Sequence, residues 1–527
     1  MRSRIWCAFA RIGVVGIVAA VVVPITAGTA HADASIDGAG STWVQIALDQ
    51  WRADVARQGI SVNYQGVGST SGRVFYYQNQ IDFAASEIPF TKAYRDATGS
   101  VITNEVALAA HRPYAYMPDV AGGTSFMYHL TINGQLVTNL RLTPTVIANI
   151  FTGNIKNWND PAIAADNRSL HLPNLPIRPV VRSDGSGTTA QFTAFMAAQT
   201  PDIWNAFCAR VGVNVNPCGS VSLWPDINAT AQQFSDGVAD YVAAPYNDGA
   251  ITYVEYGYAK QRGYPVASVL NKAGYFTQPS PDNVAIALKG ATLNPDLTQN
   301  LAGVYNNSDP NAYPVSSYSY LIVPTTTAKP FTAAKGTTLS KYILYMVCAG
   351  QQKAAQLGYS PIPGNLVQAA FNVVLKIPGH VNPPPMNQCD NPNLNGSLGN
   401  SKPPPPPSDK QDSTPPPSSG PATGPVTGPI TGGGGGPITG GAGDGTTGGA
   451  TRATGRKAGH VRKLASGGLN NNADLGTNTL TASSGPVTPP AQRDPLPLLL
   501  YIIAAVAALI AIFGPPTISS YLKRSNS

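Results

Sequence analysis

The sequence predicts an α/β fold, because three loops rich in glycine, serine and threonine each lie between a strand pattern and a helix pattern. The loops occupy residues 38–43, 66–72 and 182–189. In an α/β sheet the carboxyl ends of the strands meet at one edge, where ligands bind. Each loop brings hydroxyl groups and the unpaired N–H groups of a helix start to that edge. We therefore expect the three loops to form a site for a small oxyanion.

The first two loops are predicted from the patterns on either side of them. The loop at 38–43 follows a short strand at residues 35–36. The helix after it is predicted from apolar residues that recur on one face: Val44, Ala47, Leu48 and Trp51. The loop at 66–72 follows an alternating strand over residues 60–64 and precedes a helix predicted from Arg73. Both loops thus present backbone N–H groups at a helix N-terminus.

The third loop reads Arg182-Ser183-Asp184-Gly185-Ser186-Gly187-Thr188-Thr189 and follows an apolar strand pattern at 177–181. The guanidinium of Arg182 is a planar, permanently charged fork that suits two oxygens of one anion. Asp184 is close enough in sequence to hold that guanidinium in place. Taken alone, this loop is also compatible with an ordinary N-capped turn from strand to helix.

Between residues 35 and 377 the chain resembles the periplasmic phosphate-binding proteins of ABC phosphate transporters, the PstS-like substrate-binding family. The resemblance depends on motifs that occur in the family's order, at residues 38–42, 63–69, 82–87, 153–158, 182–188 and 249–256. It implies a type II-like periplasmic-binding-protein fold, in which two α/β lobes joined by a two-strand hinge close on one phosphate.

Within residues 33–390 we place lobe one at 33–122 and 316–390, and lobe two at 123–315. The chain is expected to cross between the lobes near 121–128 and to return near 313–320. The resemblance also implies a set of phosphate-binding residues: Thr42, Trp43, Ser69, Glu87, Arg182, Ser186, Gly187 and Thr188. Asp184 falls on the position that pairs with the arginine. No catalytic residue, metal or cofactor is implied.

Two of these positions depart from the family, which usually has Phe at Trp43 and Asp at Glu87. The family's carboxylate accepts a hydrogen bond from the proton of hydrogen phosphate, and so rejects sulfate, which has no proton to give. Glu87 keeps the charge but adds one methylene. A small movement of the loop would absorb that methylene; alternatively, selectivity changes, or Glu87 only caps a loop near Pro89.

The two ends of the chain predict an exported and anchored protein. Residues 1–32 have the basic start, apolar region and small-residue cleavage site of a secretory signal. Residues 391–494 are rich in Pro, Gly and Thr, which predicts a disordered linker. An apolar run at 498–513 predicts a transmembrane helix at 495–522, followed by a cytoplasmic tail at 523–527. The alternative is a cleaved or buried terminal helix.

The charges argue against a nucleic-acid-binding protein. The chain has 34 Lys and Arg against 27 Asp and Glu, a net charge of +7, but residues 33–389 contain 21 of each kind. The positive excess therefore lies outside the predicted globular part, which has no broadly basic surface.

Four cysteines follow the predicted signal, and an exported protein with an even number of cysteines favours disulfides. Three pairings are possible. We favour Cys208–Cys218, which closes a short loop, and Cys348–Cys389, which holds the end of the last helical region. The sequence has no CxxC pair or His cluster with metal-ligand spacing.

The predicted function is capture of inorganic phosphate between two lobes for an ABC phosphate permease. An alternative is a membrane-tethered anion sensor or surface interaction module that uses the same fold without transport. An enzyme such as a phosphatase is disfavoured, because no His is placed by sequence to serve as a base for Ser186.

Overall fold

The computed structural model describes residues 33–92, 103–213, 217–226, 228–395 and 398. The predicted signal, the predicted membrane span and nearly all of the predicted linker lie outside the described residues. Among the helices that are described, none combines the length and the apolar character needed to cross a membrane.

The strands are numbered in chain order. They are β1 (Ile36–Gly40), β2 (Val62–Gly66), β3 (Phe83–Ser86), β4 (Tyr114–Tyr128), β5 (Thr131–Ile132), β6 (Gln135–Leu136), β7 (Arg141–Leu142), β8 (Arg178–Arg182), β9 (Thr230–Gln232), β10 (Ala250–Glu255), β11 (Ser268–Leu270), β12 (Phe276–Thr277), β13 (Thr292–Leu293), β14 (Gln299–Asn300) and β15 (Ser316–Pro324).

The α-helices are numbered in the same way. They are α1 (Gln45–Ala56), α2 (Ser69–Tyr77), α3 (Glu105–Ala109), α4 (Pro144–Phe151), α5 (Pro161–Asp166), α6 (Gly187–Gln199), α7 (Pro201–Arg210), α8 (Phe234–Ala243), α9 (Tyr256–Arg262), α10 (Pro281–Leu288), α11 (Ala302–Tyr305), α12 (Ala333–Val347), α13 (Ala354–Leu357) and α14 (Gly364–Val374). Two 3₁₀ segments, Ala349–Lys353 and Met386–Gln388, follow α12 and α14.

An eight-stranded sheet in the order β2-β1-β3-β15-β4-β10-β8-β9 organises the fold. Strand β4 changes partner along its length. Its residues 114–123 pair with β15, and its residues 124–128 pair with β10. We call β2, β1, β3, β15 and the start of β4 the first section of the sheet, and β10, β8, β9 and the end of β4 the second section.

The predicted loops do lie between strands and helices, and the start of one helix differs from the prediction. Helix α2 begins at Ser69 and not at Arg73, because Gly68, with φ of 84°, turns the chain directly into the helix. Helix α6 begins at Gly187, and its N-cap, Ser186, accepts a hydrogen bond from the N–H of Thr189. Hydroxyl side chains therefore lie at or beside the start of both helices.

The core covers both sections of the sheet, and the predicted disulfides are confirmed. Cys208 bonds to Cys218, and Cys348 bonds to Cys389. The folded part extends past the predicted linker boundary at residue 391, because Asn391 and Asn393 are buried and their amide groups donate to backbone carbonyls. The predicted start of the linker is therefore too early.

Candidate anion-binding site

Arg182, the last residue of β8, is held in place by a buried carboxylate. Its Nε and Nη2 donate to the two carboxylate oxygens of Asp184 at 2.7 and 2.5 Å. The side chain of Arg182 is 1% exposed and that of Asp184 is 9% exposed. Asp184 also accepts the N–H of Phe234 at 2.9 Å, and Phe234 has the left-handed φ of 62°. This bidentate pair fixes the plane of the guanidinium.

The remaining guanidinium contacts join the two sections of the sheet. Arg182 Nη2 donates to the Thr42 hydroxyl at 3.1 Å, and Nη1 donates to the hydroxyls of Ser235 at 3.2 Å and Thr188 at 3.4 Å. The Thr42 and Ser235 hydroxyls are 2.9 Å apart. Thr42 follows β1, whereas Ser235 lies in the first turn of α8. A ring of hydroxyl groups therefore surrounds one arginine.

The N-terminus of α6 faces the first section. The N–H of Gly187 donates to the Ser69 hydroxyl at 3.1 Å, and Ser69 in turn donates to Glu87 Oε2 at 2.8 Å. A Cβ atom on Gly187 would lie 1.9 Å from Glu87 Oε2 and 2.6 Å from the Ser69 hydroxyl. Only glycine allows α6 to approach this closely, so the positive end of the helix lies against a carboxylate.

Glu87 is a buried carboxylate that accepts hydrogen bonds from hydroxyl groups. Its Oε1 accepts from Ser41 at 2.5 Å and from Ser319 at 3.1 Å, and its Oε2 accepts from Ser69. Two carboxylate oxygens provide about four acceptor positions. Oε2, which accepts only from Ser69 among the described residues, therefore has capacity for another hydrogen bond.

Burial raises the pKa of Glu87, while the three serine hydroxyls oppose that rise by stabilising the ionised form. A buried carboxylate without a cation at hydrogen-bond distance is costly unless its oxygens are satisfied. The hydroxyl groups meet that need. These hydroxyls belong to other elements of the fold, so the contacts of the Glu87 carboxylate extend beyond the loop near Pro89.

The structure brings most of the sequence-predicted residues together. Hydrogen bonds join Arg182 to Thr42 and Thr188, and a second set joins Gly187, Ser69 and Glu87. The two sets adjoin because Gly187 and Thr188 are neighbours at the start of α6. Ser186 is buried next to them as the cap of α6. The N–H of Trp43 donates to Ser41 Oγ at 2.9 Å, and its indole ring packs edge-on against Tyr359.

Sequence reasoning missed three serines of this site. Ser41 was part of a predicted loop but was not selected, although it carries the shortest hydrogen bond to Glu87. Ser235 follows a short strand and lies in the first turn of a helix, but it lies outside the three loops rich in glycine, serine and threonine. Ser319 lies within β15, where nothing in the local pattern distinguishes it.

Comparison with known proteins identifies the family. Residues 26–349 match the PBP superfamily domain. The phosphate-binding protein PstS of Xylella fastidiosa is 31% identical over 334 residues, which cover 63% of this chain and 83% of that protein. The chain belongs to the PBP superfamily and is a PstS-like protein. The resemblance inferred from the sequence motifs is therefore confirmed.

Two other similar proteins are also named phosphate-binding proteins. The phosphate-binding protein PstS 3 of Mycobacterium tuberculosis is 30% identical to this PstS-like chain over 312 residues, which cover 58% of this chain and 76% of that protein. Among solved structures, a phosphate-binding protein from Stenotrophomonas maltophilia aligns with a TM-score of 0.46 and 17% identity, over 68% of this chain and 99% of that one.

Proposed function

We propose that this protein captures inorganic phosphate, as hydrogen phosphate, and passes it to an ABC phosphate permease. The observation that carries the proposal is that two buried groups of hydrogen bonds adjoin at the start of α6: Arg182 with Thr42 and Thr188, and Glu87 with Ser69 and the N–H of Gly187. Cationic and N–H donors favour an anion, and an additional carboxylate favours an anion that still carries a proton. The names of the similar PstS proteins support the same ligand.

Phosphate oxygens would accept from groups that already point into the cluster. The guanidinium of Arg182 would exchange hydroxyl acceptors for phosphate oxygens, and the hydroxyls of Thr42 and Thr188 would rotate to donate to the anion. Gly187 and Thr188 add N–H groups at the start of α6. We assign the remaining predicted ligands, Ser69, Ser186 and the backbone of Trp43, to the same site.

Glu87 would receive the proton of hydrogen phosphate at Oε2. The extra methylene relative to aspartate is accommodated because Gly187 has no side chain and three serine hydroxyls hold the carboxylate. Sulfate at neutral pH has no proton to donate, so it could not hydrogen-bond to the Glu87 carboxylate and would be repelled by its negative charge. We therefore propose retained selection of phosphate over sulfate.

We further propose that the two sections of the sheet form two lobes that close on the anion. The change of partner along β4, between Gly123 and Thr124, supports a crossing there, and β15 provides the returning strand. The contacts of Arg182 with Thr42 and of Gly187 with Ser69 join the two sections. A hinge at paired crossing strands allows such closure.

Calorimetric titration of the purified full chain with phosphate, and then with sulfate, tests the binding proposal after bound anion has been removed. We expect phosphate to bind and sulfate to bind far more weakly. Absence of phosphate binding would contradict the proposal. Delivery is tested by capture of the permease from phosphate-limited cells on the immobilised chain. Capture on the Arg182→Ala variant is the comparison.

We also propose that the chain is exported and held in the cell membrane by residues 495–522, with the binding part outside. The support is the apolar run at 498–513, followed by Lys523 and Arg524. Fractionation of cells that express the full chain, or a chain truncated after residue 494, tests the anchor. Membrane recovery of both chains would contradict it.

A further inference from the structure

Gln191 of α6 contacts the main chain of Glu87 and has no role in the function proposed above. Its Nε2 donates to the Glu87 carbonyl at 2.7 Å, although the two residues are 104 positions apart in the chain. Gln191 is 8% exposed and Glu87 is 1% exposed. Helix α6 follows β8 of the second section, whereas Glu87 follows β3 of the first section. This buried hydrogen bond therefore joins the two sections.

Helix α6 contacts Glu87 at two points. Gly187 and Gln191 are four positions apart, so they lie on one face of the helix, one turn from each other. The N–H of Gly187 is linked to the Glu87 carboxylate through the Ser69 hydroxyl, whereas Gln191 donates directly to the Glu87 carbonyl. Two contacts one turn apart fix both the position and the direction of Glu87 relative to the helix axis.

The loop that carries Glu87 is also held by residues outside α6. The Ser86 hydroxyl donates to the Ile88 carbonyl at 2.6 Å and accepts from Arg73 Nη1 at 3.3 Å. The guanidinium of Arg73 pairs in turn with the Glu105 carboxylate at 3.0 Å. Because these contacts do not depend on α6, we expect the loop to keep its shape when the two sections separate.

A cavity of about 540 Å³ lies between α6 and this loop, next to Gln191. Ile88 and Pro89 line it on the side of the loop, and Ala194 and Ala198 line it on the side of α6. Apolar packing between the helix and the loop is therefore incomplete here. The hydrogen bond of Gln191 contributes correspondingly more to their contact.

We infer that Gln191 is a positioning residue: by holding the Glu87 main chain, it places the Glu87 carboxylate against the α6 N-terminus when the two sections close on the anion. The inference rests on the proposed function. When the sections are apart, the Gln191 amide and the Glu87 carbonyl can each hydrogen-bond to water. Their contact therefore contributes to the affinity for the anion and not to the stability of the anion-free protein.

Gln191→Met tests this role, because methionine keeps the length of the side chain and removes the donor. We expect phosphate binding to weaken about fivefold. The loss should appear mainly as faster release, since the contact forms after the anion has entered. The free energy of unfolding without anion should match that of the wild type. Calorimetry, displacement of labelled phosphate by excess unlabelled phosphate, and urea unfolding of the full chain measure these three quantities.

Thr193→Val is the matched control on the same helix. The Thr193 hydroxyl donates to the Thr189 carbonyl at 2.8 Å and accepts the N–H of Val221 at 2.9 Å. Both partners lie on the side of the second section, so these hydrogen bonds do not depend on closure. We expect Thr193→Val to lower the stability of the anion-free protein and to leave phosphate affinity unchanged. A merely structural role of Gln191 would give the same pattern.

Gln191→Glu provides a readout that packing alone would not change. An ionised carboxylate cannot donate to the Glu87 carbonyl and adds a negative charge, so at neutral pH this variant should bind phosphate more weakly than Gln191→Met. A protonated carboxyl group can donate. The affinity of Gln191→Glu relative to Gln191→Met should therefore rise as pH falls.

The other titratable groups along the cavity do not explain such a recovery. They are Glu87, Tyr305 and Tyr320. Burial raises the pKa of both tyrosines, so their phenols stay neutral at acidic and neutral pH. Glu87 is common to both Gln191 variants, so its titration cancels in the ratio of their affinities.

The outcomes distinguish the two proposals. Wild-type chain that fails to bind phosphate overturns the proposed function. Three results, each with wild-type chain that does bind phosphate, overturn the role of Gln191 alone. They are wild-type affinity in Gln191→Met, a loss of anion-free stability in Gln191→Met like that of Thr193→Val, and an affinity ratio of Gln191→Glu to Gln191→Met that does not rise as pH falls.

Discussion

The two sections of the sheet contribute opposite charges to the candidate site. The second section brings Arg182 and the N-terminus of α6, whereas the first brings Glu87 with the hydroxyls of Ser41 and Ser69. Under the proposed function, the positive side would attract an anion, and the negative side would favour an anion with a proton. We therefore expect affinity and selectivity to depend on different strands and to be altered separately.

The largest effect is expected on the positive side. Arg182→Ala removes the guanidinium and is expected to weaken phosphate binding by about 100-fold or more, since hydrogen bonds to charged groups are the strong ones. It also leaves Asp184 without its cation, so we expect the free energy of unfolding to fall by about 3 kcal/mol. Calorimetry and urea unfolding measure the two effects.

Arg182→Lys is the matched control for this prediction. Lysine keeps the charge but not the planar fork that binds two oxygens. We expect its phosphate affinity to lie between those of the wild type and Arg182→Ala. Wild-type affinity in Arg182→Ala would mean that the positive side does not bind the anion.

The two disulfides lie outside the strands of the sheet and are expected to stabilise the fold unequally. Cys348, at the end of α12, and Cys389 are 41 residues apart, whereas Cys208, in α7, and Cys218 are 10 apart. In the chain-entropy model, replacing the longer pair by alanine costs about 4 kcal/mol and the shorter pair about 3 kcal/mol. Urea unfolding of the two double variants measures this difference, and a reversed order would refute the assignment of the larger effect to the Cys348–Cys389 pair.

A smaller effect is expected on the negative side, where Glu87→Gln removes the charge and keeps the shape. We expect sulfate to gain affinity relative to phosphate by about tenfold, since the amide group can donate to an unprotonated oxyanion. Phosphate should still bind through Arg182. If sulfate remained excluded, the selectivity would have to come from elsewhere in the site.

The protonation of Glu87 predicts the pH dependence of the same selectivity. Burial raises its pKa above the ordinary glutamate value. As pH falls through that raised pKa, the carboxylate gains a proton and becomes a donor, so sulfate binding to the wild type should increase. Glu87→Gln should lose this pH dependence. Sulfate titrations of both proteins across acidic and neutral pH provide the test.

The smallest effect is expected where the second section contacts the first loop. The Tyr258 hydroxyl of α9 donates to the Thr42 carbonyl at 2.5 Å. Tyr258→Phe removes this one contact and is expected to weaken phosphate binding about fivefold, or about 1 kcal/mol. Tyr264→Phe is the control, because its hydroxyl donates to Ala243 at 2.9 Å within the second section. Equal affinity losses in both variants would mean that the contact between the sections is unimportant for binding.

Local sequence patterns predicted which strands and helices form this site better than they predicted the residues at which those elements begin. The strand before Arg182 and the helix after it follow from a run of apolar residues and a capping serine, which act over a few neighbours. The start of α2 was predicted four residues too late. The first turn of this helix is polar, so the spacing of apolar residues does not reveal it. The end of the folded part was placed too early, because the amide contacts of Asn391 and Asn393 reach distant carbonyls.

The environment of Glu87 shows what local patterns cannot predict. Its hydroxyl partners Ser41 and Ser319 are 46 and 232 residues away in the chain, and neither belongs to a pattern that includes Glu87. The contact of Arg182 with Ser235, 53 residues further along the chain, likewise cannot be predicted from a local pattern. Only the order of strands in the sheet brings these side chains together.

The sequence by itself determined the α/β class, the family, the disulfide partners that we favoured and the three helix-start loops, because these depend on composition, motif order and interactions between near neighbours. The tertiary structure decided how the charges are combined. Strand β4 changes partner from β15 to β10, and this places the carboxylate of one section against the helix N-terminus of the other. The physical reason is that burial and hydrogen bonding, which set the charge state of a carboxyl group, are properties of the packed neighbours and not of the local sequence.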